Sequence, residues 1–156
     1  MRSVLLDTSF CIRLLKKDEA LHQNAIDYFQ FFLEHKVELF ISAITIAEYS
    51  VKDDPGNLPL KMMKIIPFDF FDGKTAGEFH SILLEHKSQL QKIERNVIID
   101  DCKLIAQLYN RKIEGYITND QKSFRQIIKP ITDAKGFSIE LFDLSVSLKD
   151  FKGELF

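Results

Sequence analysis

The chain has 156 residues, 46% of them hydrophobic and 28% charged, with 23 acidic against 21 basic side chains for a formal charge of −2. That balance excludes disordered, collagen-like and coiled-coil chains, and the length suits one domain covering residues 1–156. No apolar run approaches the ~18 residues of a membrane span, the opening MRSVLLD is too short for a signal peptide, and Cys11 and Cys102 stand alone without metal or redox spacing. A cytoplasmic protein without a disulfide framework is expected.

Residues 3–6 read as a buried strand ending abruptly at Asp7. Thr8 and Ser9 are candidate caps for a helix running to about Lys17, with Phe10, Cys11, Leu14 and Leu15 apolar. A second helix covers roughly 20–36 and a second strand 38–41. Ser42 is a candidate N-cap for a helix to about Val51. KDDPGNLP at 52–59 is a loop, and 64–68 holds a short strand or extended turn. A long amphipathic helix is expected over 74–92, then another capped by Asn96, running to about Lys112 and stopped by Gly115. Residues 116–118 form a third strand ending near Asp120, and a short helix over 121–128 is closed by Pro130. A last strand follows at 138–142 and a final helix at 144–151. Strands alternating with helices predict an α/β domain with a parallel sheet covered by helices on both faces.

Ligands in such sheets bind outside the carboxyl ends of the strands. Asp7 and Asp120 fall at two such ends. Either alone reads as a helix N-cap; the pair at adjacent strand ends points to a site. At about 100° per residue, Glu48 lies beside Ile44, Ala47 and Val51 in an apolar arc. Asp101 falls between Ile105 and Leu108 in the apolar stripe of its helix, whereas Asp100 falls with Lys103, Gln107 and Arg111 on the polar face. A carboxylate inside an apolar stripe needs a cationic partner, either a buried Arg or Lys or a metal ion. Neither helix offers a base on the same arc, and a hard ion such as Mg²⁺ or Mn²⁺ would satisfy several carboxylates at once. Zinc is disfavoured, because His22, His35, His80 and His86 sit on amphipathic helices in surface or packing positions. An all-carboxylate site around Mg²⁺ suits phosphodiester hydrolysis.

Four stretches then stand out together: VLLDTSFCIRLL at 4–15, ISAITIAEYS at 41–50, IDDCKLIA at 99–106 and YITNDQKSF at 116–124. In this order they resemble the PIN domain family, in particular the small VapC-type ribonucleases. The resemblance implies a three-layer α/β/α sandwich with a mostly parallel sheet, and Mg²⁺- or Mn²⁺-dependent endonucleolytic cleavage of RNA. It also implies homodimers and, for toxin members, silencing by an antitoxin. Carried over by motif, the catalytic and metal-binding acids are Asp7, Glu48, Asp101 and Asp120, with Thr8 and Thr118 at the flanking hydroxyl positions. Thr118 and Asn119 are expected to orient carboxylates, and Asp100 to stand beside the site.

Two departures from the family matter. Asp100 and Asp101 are consecutive, so a one-residue shift of the helix start would exchange their roles. Asn119 and Ser123 occupy the segment where some members carry a fifth acid. RNA also needs a basic rim, for which Arg13, Lys16, Lys17, Lys52, Lys122 and Arg125 are the candidates.

Two rival functions fit these residues less well. A haloacid-dehalogenase phosphatase needs a second Asp two positions after the first, and that position is Ser9. A catalytically silent PIN-like RNA-binding or assembly scaffold would be expected to have lost one of the four acids, and none is lost. The 14 Phe residues cluster as FQFF (29–32) and FDFF (68–71), either as core filler or as a hydrophobic dimer or partner surface.

Overall fold

In the computed structural model, which describes residues 1–155, the chain alternates β1 (Ser3–Leu6), α1 (Thr8–Leu15), α2 (His22–Glu34), β2 (Glu38–Ser42), α3 (Ala43–Tyr49), β3 (Lys64–Ile66), α4 (Phe70–Leu84), α5 (Arg95–Asn110), β4 (Gly115–Thr118), α6 (Gln121–Lys135), β5 (Glu140–Asp143) and α7 (Leu148–Leu155). Every strand pair is parallel, in the order β3-β2-β1-β4-β5. The central strand explains its own sequence: Val4, Leu5 and Leu6 are all 0% exposed, because helices cover both faces and leave no polar side. Val4 and Leu6 pack with Phe10, Tyr28, Phe32 and Phe142 on one face. Leu5 packs with Phe79, Ile105, Phe124 and Ile127 on the other. The result is an α/β/α sandwich, and no described helix is long and apolar enough to cross a membrane.

Several element boundaries differ from the sequence reading, each for a local reason. The α1 N-cap is Asp7 rather than Thr8 or Ser9. Helix α4 spans Phe70–Leu84 instead of 74–92, because Asp69 and Asp72 form a reciprocal capping box: Asp69 Oδ1 accepts from Asp72 N and Asp72 Oδ2 from Asp69 N. Asn96 lies inside α5, whose N-cap is Glu94. That helix is ended by the turn at Arg111 and Lys112, the latter at φ 53°. Gly115 opens β4 instead, where a Cβ would stand 2.7 Å from Met1 Sδ. Pro130 does not close α6, which runs on to Lys135 and ends at left-handed Gly136. Burial of Phe124, Ile127, Ile128 and Ile131 outweighs the proline's lost hydrogen bond. Ser42 does cap α3, its hydroxyl accepting from Ile44 N at 3.1 Å. The final strand and helix sit a few residues later than expected, and Cys11 and Cys102 are buried free thiols.

Candidate active site

Leu6 of β1 pairs with Ile117 of β4, so the residues after both strands leave the sheet side by side. In the order 3-2-1-4-5 this is where the chain's direction of winding reverses, the crevice that open parallel sheets use for ligands. Asp7 and Asp120 flank it. Each is the N-cap residue of the following helix, yet neither carboxylate caps that helix. The backbone carbonyl of Asp7 accepts from Phe10 N and Cys11 N, while its Oδ2 accepts from Ser9 Oγ at 2.8 Å and from Thr118 Oγ1 at 2.7 Å. The capping explanation of these two acids therefore fails at the side chains, which remain available to the crevice.

Asp7, Glu48, Asp100, Asp101 and Asp120 line one cavity of about 190 Å³, with Tyr116, Thr118, Phe124, Val97 and Leu104. No Lys or Arg is among the lining residues. The carboxylates feel one another there. Burial first, and then the charges of Asp7, Asp120, Glu48 and Asp100, push the Asp101 carboxyl up to about 8. Glu48 is also raised, by burial and then by Asp7 and Asp100, against the lowering hydrogen bond it accepts from Thr8. Thr8 Oγ1 donates to Glu48 Oε2 at 2.7 Å and ties α1 to α3 across the mouth of the cavity. Burial, followed by the charges of Asp7 and Asp101, raises the Tyr116 phenol, so it stays protonated beneath the carboxylates.

Several residues stand elsewhere than the sequence predicts. Glu48 is not in a buried apolar arc: the core face of α3 is Thr45 and Tyr49, and Ala47, Glu48 and Val51 are exposed. Apolar residue type misled the helical phase there, although Glu48 still reaches the cavity. Gln107 is 0% exposed rather than on a polar face. Asp100 pairs with Lys103 at 3.7 Å and lines the cavity together with Asp101. Asn119 acts through its backbone, its N–H donating to Ser9 Oγ at 2.9 Å. Ser9 is the residue that sequence reasoning missed. Its signal was the Asp-x-Ser spacing, which lets a hydroxyl reach back to the preceding carboxylate.

None of the six rim bases lines the cavity. Arg13 is turned inward and donates to the Ser9 carbonyl, and Lys16 is paired with Asp53 at 3.1 Å. Arg125 donates to Gln121, while Lys17, Lys52 and Lys122 are exposed.

The chemistry of the donor set suits Mg²⁺ or Mn²⁺: five carboxylates, no imidazole or thiolate, and, among the described residues, a basic partner for Asp100 alone, in Lys103. Among the described residues, no three His, Cys, Asp or Glu side chains already stand in an arrangement that would hold an ion. Asp101 and Asp120, however, have no side-chain hydrogen bond or ion pair restraining them.

No family profile and no curated protein matches the sequence. Solved structures do. A chain in the VapBC2 structure from Rickettsia felis, bound to a DNA fragment from its promoter, matches at 18% identity and TM-score 0.63 over 90% of this chain and 98% of that one. A chain of the DNA-bound VapBC structure from Salmonella typhimurium matches at 17% and 0.60, over 92% and 99%. VapC20 of Mycobacterium tuberculosis, a Sarcin-Ricin loop cleaving toxin, matches at 14% and 0.53, over 86% and 96%. At these identities the likeness concerns architecture alone: the chain shares the fold of these VapBC and VapC20 chains.

Proposed function

We propose that this protein is a divalent-metal-dependent endoribonuclease that hydrolyses RNA phosphodiester bonds, and that it serves as the toxin of a toxin–antitoxin pair. The single observation that carries the reading is the convergence of five carboxylates on one crevice at the β1–β4 boundary with no cation among its lining residues. A bound Mg²⁺ or Mn²⁺ would supply activation of water and stabilisation of the leaving oxygen. Asp7, Asp101 and Asp120 are the residues to hold it, with Asp100 beside them. Glu48, which lines the cavity and whose carboxyl burial raises above its ordinary value, is placed to orient a water and take its proton. Ser9 and Thr118 fix the Asp7 carboxylate, and Thr8 fixes Glu48.

The toxin setting and an antitoxin partner draw on the VapBC structures among the neighbours, and a homodimer is proposed from the family resemblance of the sequence. The scaffold reading has one observation in its favour, the lack of a preassembled three-ligand cluster among the described residues. A Mn²⁺ and Mg²⁺ titration by calorimetry on wild type and Asp7→Asn, paired with cleavage of single-stranded RNA, separates the two. Binding and cleavage lost in the variant support the nuclease. RNA binding without metal uptake or cleavage in wild type would leave the scaffold.

A further inference from the structure

We propose that a groove beside the carboxylate cavity binds an unpaired nucleotide of the RNA strand, next to the phosphodiester that lies over the carboxylates; the inference rests on the nuclease reading above. The groove has a volume of about 630 Å³, within the range of roughly 300–1,000 Å³ typical of small-ligand clefts. Its lining is largely aliphatic, with Leu83 and Leu84 at the end of α4, Ile93 in the segment before α5 and Ile98 in the first turn of α5. Leu84 is left 50% exposed. Lys87 and Arg95 are exposed at its edge, and among the described residues neither makes an ion pair and no Asp or Glu lines the groove.

The charge pattern selects the occupant. The cavity holds five carboxylates and no lining cation, whereas the adjoining groove holds two unpaired cations and no lining acid. A phosphodiester strand needs both, because its phosphates require cations wherever the protein's own carboxylates do not face a metal. The two sites share the first turns of α5: Arg95 and Ile98 line the groove, while Val97, Asp100 and Asp101 line the cavity. Arg95 and Asp101 are six residues apart on α5, about 9 Å along the axis and about 120° around it, so a strand occupying both would cross the N-terminal turns of the helix, where Ile98 stands one turn before Asp101. A base presents an apolar face to the leucines and isoleucines and polar edges to the amide of Gln91, and the neighbouring phosphates meet Lys87 and Arg95.

The test uses the full chain and a short fluorescein-labelled single-stranded RNA of mixed sequence. Affinity is read by anisotropy on an Asp120→Asn background, and KM for cleavage on the wild-type background. Lys87→Ala/Arg95→Ala is expected to weaken binding about tenfold and to lower the salt slope by about 1.4, at roughly 0.7 per phosphate contact on a single strand. Leu84→Ser is expected to raise KM several-fold without changing that slope. The charge-matched control Lys36→Gly/Lys112→Gly, at two positive-φ positions preceding β2 and β4, is expected to bind as the background does. If the Asp120→Asn background binds no RNA, the KM ratio decides. Unchanged affinity and KM in both groove variants, with wild type still cutting RNA, overturn the groove and leave the nuclease standing. A changed mass in light scattering with unchanged RNA parameters also overturns it, making the groove a contact between copies. Wild type that neither binds nor cuts RNA overturns both.

Discussion

Thr118 Oγ1 donates to Asp7 Oδ2 at 2.7 Å and accepts from Asp120 N at 3.1 Å, so one buried hydroxyl links the acids that leave two neighbouring strands. Thr118 is 2% exposed, and Val would keep its shape while removing both bonds. Thr118→Val is expected to lower RNA cleavage about 10–100-fold, the usual cost of losing a group that orients a ligand. Stability should fall by about 1–2 kcal/mol from the unsatisfied buried groups. Steady-state kinetics and urea melts check this; undiminished cleavage would remove the orienting role.

Asp101 stores electrostatic strain. Its carboxyl titrates near 8 in the fold against an ordinary value of 3.8, so the native state binds the proton more tightly than the unfolded chain. The sign follows directly: stability is greatest below pH 3.8 on this account and falls as pH rises toward 8. Asp101→Asn cannot ionise and escapes that penalty. In EDTA at pH 8 it is expected to be more stable than wild type, with the difference closing near pH 4, and to lose Mn²⁺ binding. Equal urea midpoints for the two proteins at pH 8 would refute the penalty that burial, and then the neighbouring carboxylates, place on the ionised Asp101.

Asp72 behaves in the opposite sense. Burial opposes its ionisation, but hydrogen bonds from Arg111, Asp69 N and Asn110 outweigh burial and hold the carboxyl below 3.8. Arg111 Nη1 donates to Asp72 Oδ1 at 2.6 Å, and its Nη2 donates to the Pro67 carbonyl, joining α4, α5 and the residue after β3. This contribution is present above pH 3.8 and is lost as pH falls below it. Arg111→Ala is expected to cost about 3 kcal/mol, because it strands a buried carboxylate. Denaturant melts at neutral pH measure it, and Asp72→Asn in the same background should recover part of the loss.

Phe70 and Phe71 meet edge to face at 5.6 Å and are 77% and 69% exposed, whereas Phe32 of the other aromatic cluster is fully buried. The two Phe-rich segments thus divide the roles expected of them: FQFF contributes to the core, and FDFF leaves a pair in solvent. Phe70→Ser/Phe71→Ser is expected to change folding stability by no more than about 0.5 kcal/mol, as exposed substitutions do. A loss of several kcal/mol in thermal melts would show that the pair supports the fold.

Much of this molecule is readable from local pattern. The uninterrupted apolar run before Asp7 marks a strand covered on both faces, and Ser42 announces the start of α3, whereas the helical phase that put Asp100 and Gln107 on a polar face of α5 fails: Asp100 lines the cavity with Asp101, and Gln107 is buried. What failed locally failed because tertiary contacts overrode residue type. Ala47 and Val51 are apolar yet exposed, so the phase inferred for Glu48 was wrong even though its carboxylate reaches the site. Pro130 should break a helix, but the isoleucines around it are buried and the helix continues. The Asp69–Asp72 capping box set a helix start that hydrophobic periodicity could not show.

The acids themselves were visible as residues out of place, each at a strand end or on a helix. Their meeting was decided by the parallel 3-2-1-4-5 sheet, which brings together positions 7, 48, 100, 101 and 120. The same is true of the groove beside them, assembled from the end of one helix and the start of the next. Propensity and periodicity act between near neighbours along the chain, whereas Coulomb repulsion and burial depend on separation in space. Only the folded chain, therefore, sets the raised titration of Asp101 and the division of charge between cavity and groove.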